Sequence, residues 1–336
     1  MIPHFKGLSY FDRPTLLQVL ELADQLKRHN MREPLAHGKV LINLFFNDSL
    51  RTRTSFEIAA RHLGASAVTV TPGKGTWDLE TEYGVVMDGN KPEHVKEAIQ
   101  VLASYADTLG VRAFPEFQYY EDDRDERLFN AIASVCNKPL INLESSFQHP
   151  CQAMADWMTV RELFGDDLRS KRFVLSWAPH PKALPMAVPN SALEMAVLSG
   201  MHVTLACPEP MLLDADLMAR LRQQLLPGQE FTVEHDQHKA LDGAHVVYAK
   251  AWSGRQVYTN PNMDLAVRKA HADWQITKAK MKLTDQARFM HCLPVRRNVV
   301  VSDEVLDSDY AVHIQEAENR LHVQKAILMS IWNLSL

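Results

Sequence analysis

The chain has 336 residues, a formal net charge of −5 at pH 7, 46% hydrophobic residues and 23% charged residues. This length suits about two domains with large cores, and the composition is ordinary for a soluble globular protein. The slightly acidic balance gives no sign of nucleic-acid binding, and no uninterrupted apolar stretch approaches the ~18 residues of a membrane span.

In chain order, short apolar runs that predict buried strands alternate with segments of helical periodicity. The predicted strands are Val40–Phe46, Ala67–Val70, Thr108–Val111, Leu140–Asn142, Phe173–Trp177, Val203–Ala206, His245–Tyr248, Phe289–Cys292 and Ala311–Ile314. The predicted helices include Pro14–Lys27, Pro92–Ala106, Cys151–Phe164, Ala187–Ser199 and Leu213–Leu225. Such alternation is typical of parallel sheets with crossover helices, so the predicted fold class is α/β.

The pattern of strands and helices restarts after His149, which predicts two doubly wound parallel-sheet domains, at residues 1–148 and 149–317. Ligands of such folds bind at the carboxyl ends of the strands. Ser49, Arg112, His149 and Cys292 all follow or end predicted strands. We therefore expect one active site in the cleft between the two domains.

The segment from Phe45 to Glu57 reads FFNDSLRTRTSFE and passes from a predicted strand into a helix. The backbone N–H groups and the dipole at a helix start favour an anion, and Arg51 adds a planar fork suited to phosphate. No GxxxxGK[ST] or GxGxxG motif accompanies it, so a nucleotide is not the first expectation. The alternative is an N-capped surface helix with solvated arginines.

Two further motifs are His149-Pro150-Cys151-Gln152, before a helical run, and His291-Cys292-Leu293-Pro294, after a short apolar segment. Each is weak alone, because a His-Pro pair usually belongs to a helix cap and a His-Cys pair usually lies in a core.

The four cysteines are scattered without CxxC spacing, which argues against structural zinc and fits reduced thiols in the cytoplasm. The N-terminal residues lack the apolar core of a signal peptide, which also favours a cytoplasmic protein.

Taken together and in this order, the three motifs resemble the transcarbamylases, which transfer a carbamoyl group from carbamoyl phosphate to an amine. The resemblance covers nearly the whole chain and ends with Glu316-Ala317-Glu318-Asn319-Arg320. It implies that a final helix in residues 318–336 packs back on the first domain. It also implies that the partners are carbamoyl phosphate and an amine, with neither a metal nor an organic cofactor.

Carbamoyl transfer requires a held phosphate, a polarised carbonyl oxygen and an uncharged amine close by. We expect Arg112 and His149 to donate to the carbonyl oxygen and Gln152 to bind the carbamoyl amide. The backbone carbonyls of Cys292 and Leu293 suit the same amide, so Cys292 is assigned a catalytic role but not that of a nucleophile. The predicted carbamoyl phosphate site comprises Ser49, Leu50, Arg51, Thr52, Trp77, Arg112, His149, Pro150, Cys151, Gln152, Cys292, Leu293 and Arg320.

Trp77 ends a Gly-Lys-Gly-Thr-Trp loop. An aromatic residue in such a loop usually anchors it or belongs to an interface. In the branch of the family that acts on acylated ornithines, a tryptophan here reaches the phosphate site of the neighbouring subunit. The resemblance therefore implies a homotrimer with shared active sites.

The amine substrate is expected to be an acylated ornithine. The chain lacks the Ser-Met-Gly loop with which ornithine transcarbamylases hold a free α-amino acid, and the Arg-Arg-Asn sequence at 296–298 resembles acylornithine enzymes. Lys250 and Arg296 are predicted to bind carboxylates, Glu144 to hold a substrate nitrogen, and His180 to add a donor.

Three details favour a succinyl over an acetyl group. Pro92 stands where the acetyl branch has a glutamate that should repel a succinyl carboxylate, so Pro92 is the predicted specificity residue. Val299-Val300-Val301 lacks a lysine of the acetyl branch, and Trp177-Ala178-Pro179-His180 resembles the succinyl branch. Alternatively, Pro92 is simply a first-turn helix proline.

The sequence thus predicts N-succinyl-L-ornithine carbamoyltransferase activity in arginine biosynthesis, with N-succinyl-L-citrulline and phosphate as products. The alternatives are an N-acetyl-L-ornithine carbamoyltransferase, or a non-catalytic relative that binds small anions. The intact motif residues argue against the non-catalytic alternative.

Overall fold

The computed structural model describes residues 3–336, which form two compact units. The first unit contains residues up to 116, 121–151 and 320–336, and the second contains 117–120 and 152–319. Both units are α/β with parallel sheets, which confirms the predicted fold class. Within residues 3–336, no helix combines the length and the apolar character needed to cross a membrane.

The first unit is built on a parallel sheet of order β2-β1-β5-β6. Its strands are β1 (Val40–Phe45), β2 (Ser66–Val70), β5 (Thr108–Arg112) and β6 (Leu140–Glu144), and a separate two-stranded sheet pairs β3 (Leu79–Glu80) with β4 (Glu93–His94). The helices up to the end of β6 are α1 (Arg13–Arg28), α2 (Leu50–His62), α3 (Val95–Tyr105), α4 (Tyr120–Arg124) and α5 (Arg127–Val135). Ile42, Leu44, Ile99 and Val111 lie in its buried core.

The second unit is built on a parallel sheet of order β11-β10-β7-β8-β9. Its strands are β7 (Arg172–Trp177), β8 (His202–Ala206), β9 (Phe231–Glu234), β10 (Val246–Lys250) and β11 (Arg288–Met290). The remaining helices are α6 (Pro150–Phe164), α7 (Ala187–Ser199), α8 (Ala215–Gln223), α9 (Gln237–Leu241), α10 (Pro261–Ala270), α11 (Lys278–Met281), α12 (Asp303–Leu306) and α13 (His313–Trp332). Short 3-10 helices span Leu8–Tyr10, Glu209–Met211, Arg255–Tyr258 and Ala272–Trp274.

The order of strands places a switch point in each sheet. In the first unit, β2 lies on one side of β1, and β5, which comes later in the chain, lies on the other side. In the second unit β7 is followed by β8 on one side and, later, by β10 on the other. Ligands of open α/β sheets bind at the carboxyl ends of the strands beside such points. Ser49 and Arg112 stand at the first, and His180 and Lys250 at the second.

The predicted strand at Ala311–Ile314 is wrong. Ala311 makes a single bridge to Phe289, and α13 already begins at His313. A short apolar run cannot separate a strand from a helix start. Ile314, which a buried strand would cover, is 66% exposed. Strand β9 is absent from the predicted strands, because it is a four-residue edge strand whose burial is only partial.

Helix α3 begins later than predicted, at Val95, with His94 as its N-cap. The His94 imidazole Nδ1 accepts the N–H of Lys96 at 3.1 Å. Pro92 therefore lies before the helix rather than in its first turn, so the alternative explanation of Pro92 as a first-turn proline is wrong.

Residues 320–336 at the end of α13 belong to the first unit. Lys325 Nζ donates to the Met31 carbonyl at 3.0 Å, and Trp332 Nε1 donates to Thr108 Oγ1 at 2.8 Å. These bonds fix the C-terminal segment to the loop between α1 and β1 and to β5. The domain bounds 1–148, 149–317 and 318–336 stay a prediction.

Candidate active site

The start of α2 is capped by the serine that precedes it. Ser49 is extended, with φ −154° and ψ 125°, and its Oγ accepts the N–H of Thr52 at 3.2 Å. The N–H groups of a first helical turn have no carbonyl one turn earlier to bind. Because α2 follows directly on β1, this turn lies at the carboxyl end of the sheet. It can hold an anion, as predicted for Ser49, Leu50, Arg51 and Thr52.

Three guanidinium groups of the first unit gather near this helix start. Arg320 is 3% exposed, and its Nη2 donates to Thr52 Oγ1 at 2.6 Å. Burial lowers the pKa of Arg320 from its usual value, and the charges of Arg112 and Arg51 act in the same direction. Within residues 3–336, the Nε atoms of Arg112 and Arg320 are buried without a hydrogen-bond partner. Converging cations with unused donors fit a multiply charged anion such as phosphate.

Glu144 joins the two groups that were predicted to polarise a carbonyl oxygen. Arg112 Nη1 donates to Glu144 Oε2, and His149 Nε2 lies 3.4 Å from the same oxygen. The contact arises because β5 pairs with β6 and the register shifts between Val111 and Arg112, which sets Arg112 opposite Glu144. The carboxylate thus holds the guanidinium and the imidazole side by side. Glu144 was predicted to bind the substrate nitrogen, and its contacts here are with these two side chains.

Cys151, the cysteine of the His149 motif, has an unreactive thiol. The Cys151 side chain is fully buried, its Sγ donates to the Asn142 carbonyl at 3.5 Å, and burial raises its pKa to about 12. The thiol therefore stays protonated at neutral pH and serves neither as a nucleophile nor as an anion. Any contact of Pro150 or Cys151 with phosphate would come from the backbone at the start of α6.

The other carbamoyl-amide residues, Gln152, Cys292 and Leu293, belong to the second unit. Gln152 Nε2 donates to Asp156 Oδ1 at 2.7 Å and to Glu316 Oε1 at 3.1 Å. Glu316 also accepts the backbone N–H of His291 at 2.8 Å. One buried carboxyl group therefore connects the helix of Gln152 to the segment that carries Cys292 and Leu293.

A cationic cluster surrounds His180 in the second unit. Burial lowers the pKa of His180, and Arg296, Lys250 and Arg268 lower it further, so the imidazole is neutral at neutral pH. His180 Nε2 accepts from Arg296 Nε at 2.9 Å, and His180 Nδ1 lies 3.0 Å from the Lys182 carbonyl oxygen and 3.1 Å from the Lys182 backbone nitrogen. His180 thus contacts Arg296 in this structure, and its predicted role as a donor to the substrate stays a prediction.

Trp77 and Pro92 lie close together on the surface of the first unit. Trp77 is 59% exposed, and its Nε1 donates at 2.6 Å to an oxygen of Glu93, the residue after Pro92. The pairing of β3 with β4 brings the two segments together, because Leu79 lies opposite Glu93. The predicted loop residue and the predicted specificity residue are therefore parts of one surface feature.

Sequence reasoning missed three residues that support the predicted ones: Asp156, Glu316 and Arg268. Asp156 follows Gln152 by four positions in a helix, a spacing that places both on one face. Glu316 stands in the quoted C-terminal motif, but no role was assigned to it. Arg268 donates to Asp264 at 2.7 Å and to the His180 carbonyl at 2.9 Å. The helical spacing was a usable signal for Asp156 and Arg268.

Comparisons with known proteins agree with this arrangement. Residues 3–162 match the carbamoyl-phosphate-binding domain of aspartate/ornithine carbamoyltransferase, and residues 186–331 match its aspartate/ornithine-binding domain. An N-acetylornithine carbamoyltransferase of Xanthomonas axonopodis pv. citri is 42% identical over 98% of this chain and 96% of its own. An N-succinylornithine carbamoyltransferase of Bacteroides fragilis is 40% identical over 85% of each chain.

Solved structures of relatives share the whole fold. A structure of acetylornithine transcarbamylase complexed with acetylcitrulline superposes with a TM-score of 0.94 at 41% identity, covering 100% of both chains. A variant of N-acetyl-L-ornithine transcarbamylase has a glutamate replaced by proline and is complexed with carbamyl phosphate and N-succinyl-L-norvaline. It gives a TM-score of 0.94 at 42% identity over 98% of this chain and 100% of its own. The chain therefore belongs to the aspartate/ornithine carbamoyltransferase family and is a transferase.

Proposed function

We propose that this enzyme transfers the carbamoyl group of carbamoyl phosphate to the side-chain amine of N2-succinyl-L-ornithine, giving N-succinyl-L-citrulline and phosphate in arginine biosynthesis. The observation that carries the choice of substrate is Pro92, an uncharged residue at the predicted specificity position. In the proposed organisation, residues 1–148 bind carbamoyl phosphate, residues 149–317 bind the acylornithine, and residues 318–336 complete the first domain.

In the proposed mechanism the phosphate lies at the start of α2, against Arg51 and Arg320. Arg112 and His149 donate to the carbonyl oxygen and stabilise the negative charge that develops there when the neutral amine attacks the carbonyl carbon. The tetrahedral intermediate then expels phosphate, and the amine loses a proton. The clustering of three guanidinium groups and one imidazole in the first unit supports these roles.

Two observations support an acyl group that carries its own carboxylate. Lys250 and Arg296 both lie near the neutral His180, so two cations are available for carboxylates. In addition, relatives in which one glutamate is replaced by alanine, proline, serine or valine have been crystallised with N-succinyl-L-norvaline. In that enzyme, a succinyl ligand is thus compatible with loss of the glutamate charge. We predict that Pro92 of the present chain occupies the position of that glutamate.

The second candidate substrate is N2-acetyl-L-ornithine. It is favoured by the alignments, because the N-acetylornithine relatives match 98% of the chain and the N-succinylornithine relatives match 85%. A citrulline-forming assay with carbamoyl phosphate and ornithine, N-acetylornithine or N-succinylornithine decides between them. We expect the highest kcat/KM with the succinyl form. A higher value with the acetyl form would contradict the proposal but not the family assignment.

Replacement of Arg51 by alanine is expected to raise the KM for carbamoyl phosphate by about 10-fold to 100-fold, the range for a hydrogen bond to a charged group. The matched control is Arg53→Ala in the same helix. Arg53 is exposed and pairs with Glu57 at 3.3 Å, so its loss should leave the KM unchanged. Equal KM values in the two variants would show that Arg51 does not contact the phosphate.

We also propose that the enzyme acts as a homotrimer in which Trp77 contributes to a neighbouring subunit's site. Exposed apolar residues surround this region of the first unit and fit a subunit interface: Trp77, Tyr83, Val85, Val86 and Met87. Because Pro92 adjoins the partner of Trp77, the two residues should reach the same neighbouring site.

A mixture of Trp77→Ala and His149→Ala proteins should therefore regain activity after subunit exchange, since hybrid trimers contain some sites with both residues intact. The control mixture combines Arg112→Ala with His149→Ala. Because these two residues lie in the same chain's site, exchange should restore nothing. No recovery in the first mixture, with exchange confirmed by mass spectrometry, would place Trp77 in its own subunit's site or outside the chemistry.

A further inference from the structure

The second unit contains a buried pair of carboxyl groups that binds one amide from one side. Asp156 in α6 is 1% exposed and Glu316 in α13 is fully buried. Both accept from Gln152 Nε2, at 2.7 Å for Asp156 Oδ1 and 3.1 Å for Glu316 Oε1. Gln152 is itself only 2% exposed. Because both acceptors lie on the same side, the Gln152 NH₂ group can donate to them in only one orientation of the amide.

This arrangement directs the Gln152 carbonyl oxygen away from the pair. Within the described residues 3–336, Gln152 Oε1 is buried and has no hydrogen-bond partner. A buried acceptor without a donor is costly. Its presence at a residue of the carbamoyl-amide set indicates that a ligand N–H supplies the missing hydrogen bond.

The surroundings of Glu316 raise the pKa of its carboxyl group. Burial raises the pKa of Glu316 well above its ordinary range, and the neighbouring charge of Asp156 raises it further. This shift favours the protonated form of Glu316, whose two oxygens accept from Gln152 and from the His291 N–H. The Tyr248 phenol is also neutral, because burial and Asp156 raise its pKa. The pair thus presents one acceptor oxygen from each carboxyl group to Gln152.

We propose that Asp156 and Glu316 are positioning residues that fix the orientation of the Gln152 amide, so that its Oε1 accepts from the NH₂ group of the bound carbamoyl moiety. Neither carboxyl group needs to touch the ligand. The inference rests on the proposed function, because that function supplies the carbamoyl NH₂. It goes further by explaining why the glutamine presents its oxygen rather than its nitrogen.

The test compares two phosphonates that differ only at the recognised group. Phosphonoacetamide carries an amide NH₂, and phosphonoacetone has a methyl group in its place. Titration calorimetry with the wild-type protein should show about a 10-fold preference for the amide, the scale of one well-made hydrogen bond. In Asp156→Asn an NH₂ group can face Gln152, which should rotate the glutamine amide and remove the preference. Affinity for phosphonoacetone should change by less than about 2-fold.

A double variant exchanges the two functional groups without changing the net charge. In Gln152→Glu with Asp156→Asn, the glutamate can accept from the asparagine and from Glu316 while its other oxygen faces the ligand. The preference for phosphonoacetamide should therefore return. The control is Glu194→Gln, which alters a buried glutamate of the same unit that pairs with Arg220 at 3.3 Å. It should keep the full preference, whatever its effect on the melting temperature.

The inference is overturned if Asp156→Asn weakens the binding of both phosphonates equally, or if the double variant does not recover the preference for phosphonoacetamide. In either case the two carboxyl groups would have a structural role alone. A neutron structure of the wild-type protein provides a test without any variant. The deuterons of Gln152 Nε2 should point at Asp156 and Glu316, and an inverted amide would overturn the inference while leaving the proposed function intact. Failure of the wild-type protein to bind either phosphonate would count against the proposed function and so remove both.

Discussion

Arg112→Ala is expected to lower kcat by roughly 10²-fold or more, the scale for loss of one oxyanion donor. The variant loses the proposed donor to the carbonyl oxygen and also leaves the Glu144 carboxylate, whose side chain is 9% exposed, without its guanidinium partner. His149→Ala should show a loss of the same order, because the imidazole is the second proposed donor. Steady-state kinetics at saturating carbamoyl phosphate measures both effects.

Arg161→Ala is the matched control for this prediction. Its side chain is 12% exposed and pairs with Asp166 at 2.7 Å, so its removal also breaks an ion pair of a largely covered arginine. Because Arg161 takes no part in the proposed chemistry, kcat of this variant should stay within about 2-fold of the wild-type value. Thermal melting of all three variants separates loss of folding from loss of catalysis. Near-normal turnover in both Arg112→Ala and His149→Ala would remove their assignment as carbonyl donors.

Pro92→Glu is expected to reverse the choice between acylornithines. Two like charges about 4 Å apart cost up to roughly 4 kcal/mol at an effective dielectric constant of about 20. Solvent screens part of this energy, so we expect a loss of about 10-fold to 100-fold in kcat/KM for N-succinylornithine. N-acetylornithine lacks the extra carboxylate and should lose little or gain. The measurement is kcat/KM for both substrates in wild type and variant.

The control for charge is Pro92→Ala, which removes the proline ring without adding a carboxylate. It should keep the succinyl preference, because the proposed discrimination depends on the absence of negative charge. Raising the ionic strength should reduce the penalty in Pro92→Glu and leave Pro92→Ala unaffected. If the ratio of the two substrates is the same in wild type and Pro92→Glu, position 92 does not select the acyl group.

The sequence by itself determined the features of this protein that are local. Short apolar runs and runs of helical period record which residues are buried, so most strands of the two large sheets, β9 excepted, and the buried helix Ala187–Ser199 were predictable. The Ser49 cap was predictable for the same reason, because a serine before a helix accepts an N–H two or three residues later. The motif order was enough to indicate the transcarbamylase family.

Only the tertiary structure decided which of these residues meet. Arg112 and Glu144 are 32 positions apart, and their contact depends on the pairing of β5 with β6 and on a local shift of register. Thr52 and Arg320 are 268 positions apart, Gln152 and Glu316 are 164 positions apart, and no local pattern encodes such contacts. The contact of His180 with Arg296, 116 positions away, likewise depends on the fold of the second unit. Strand order and long-range packing are set by the whole chain, so the partners of buried polar groups follow from the fold and not from the sequence around each residue.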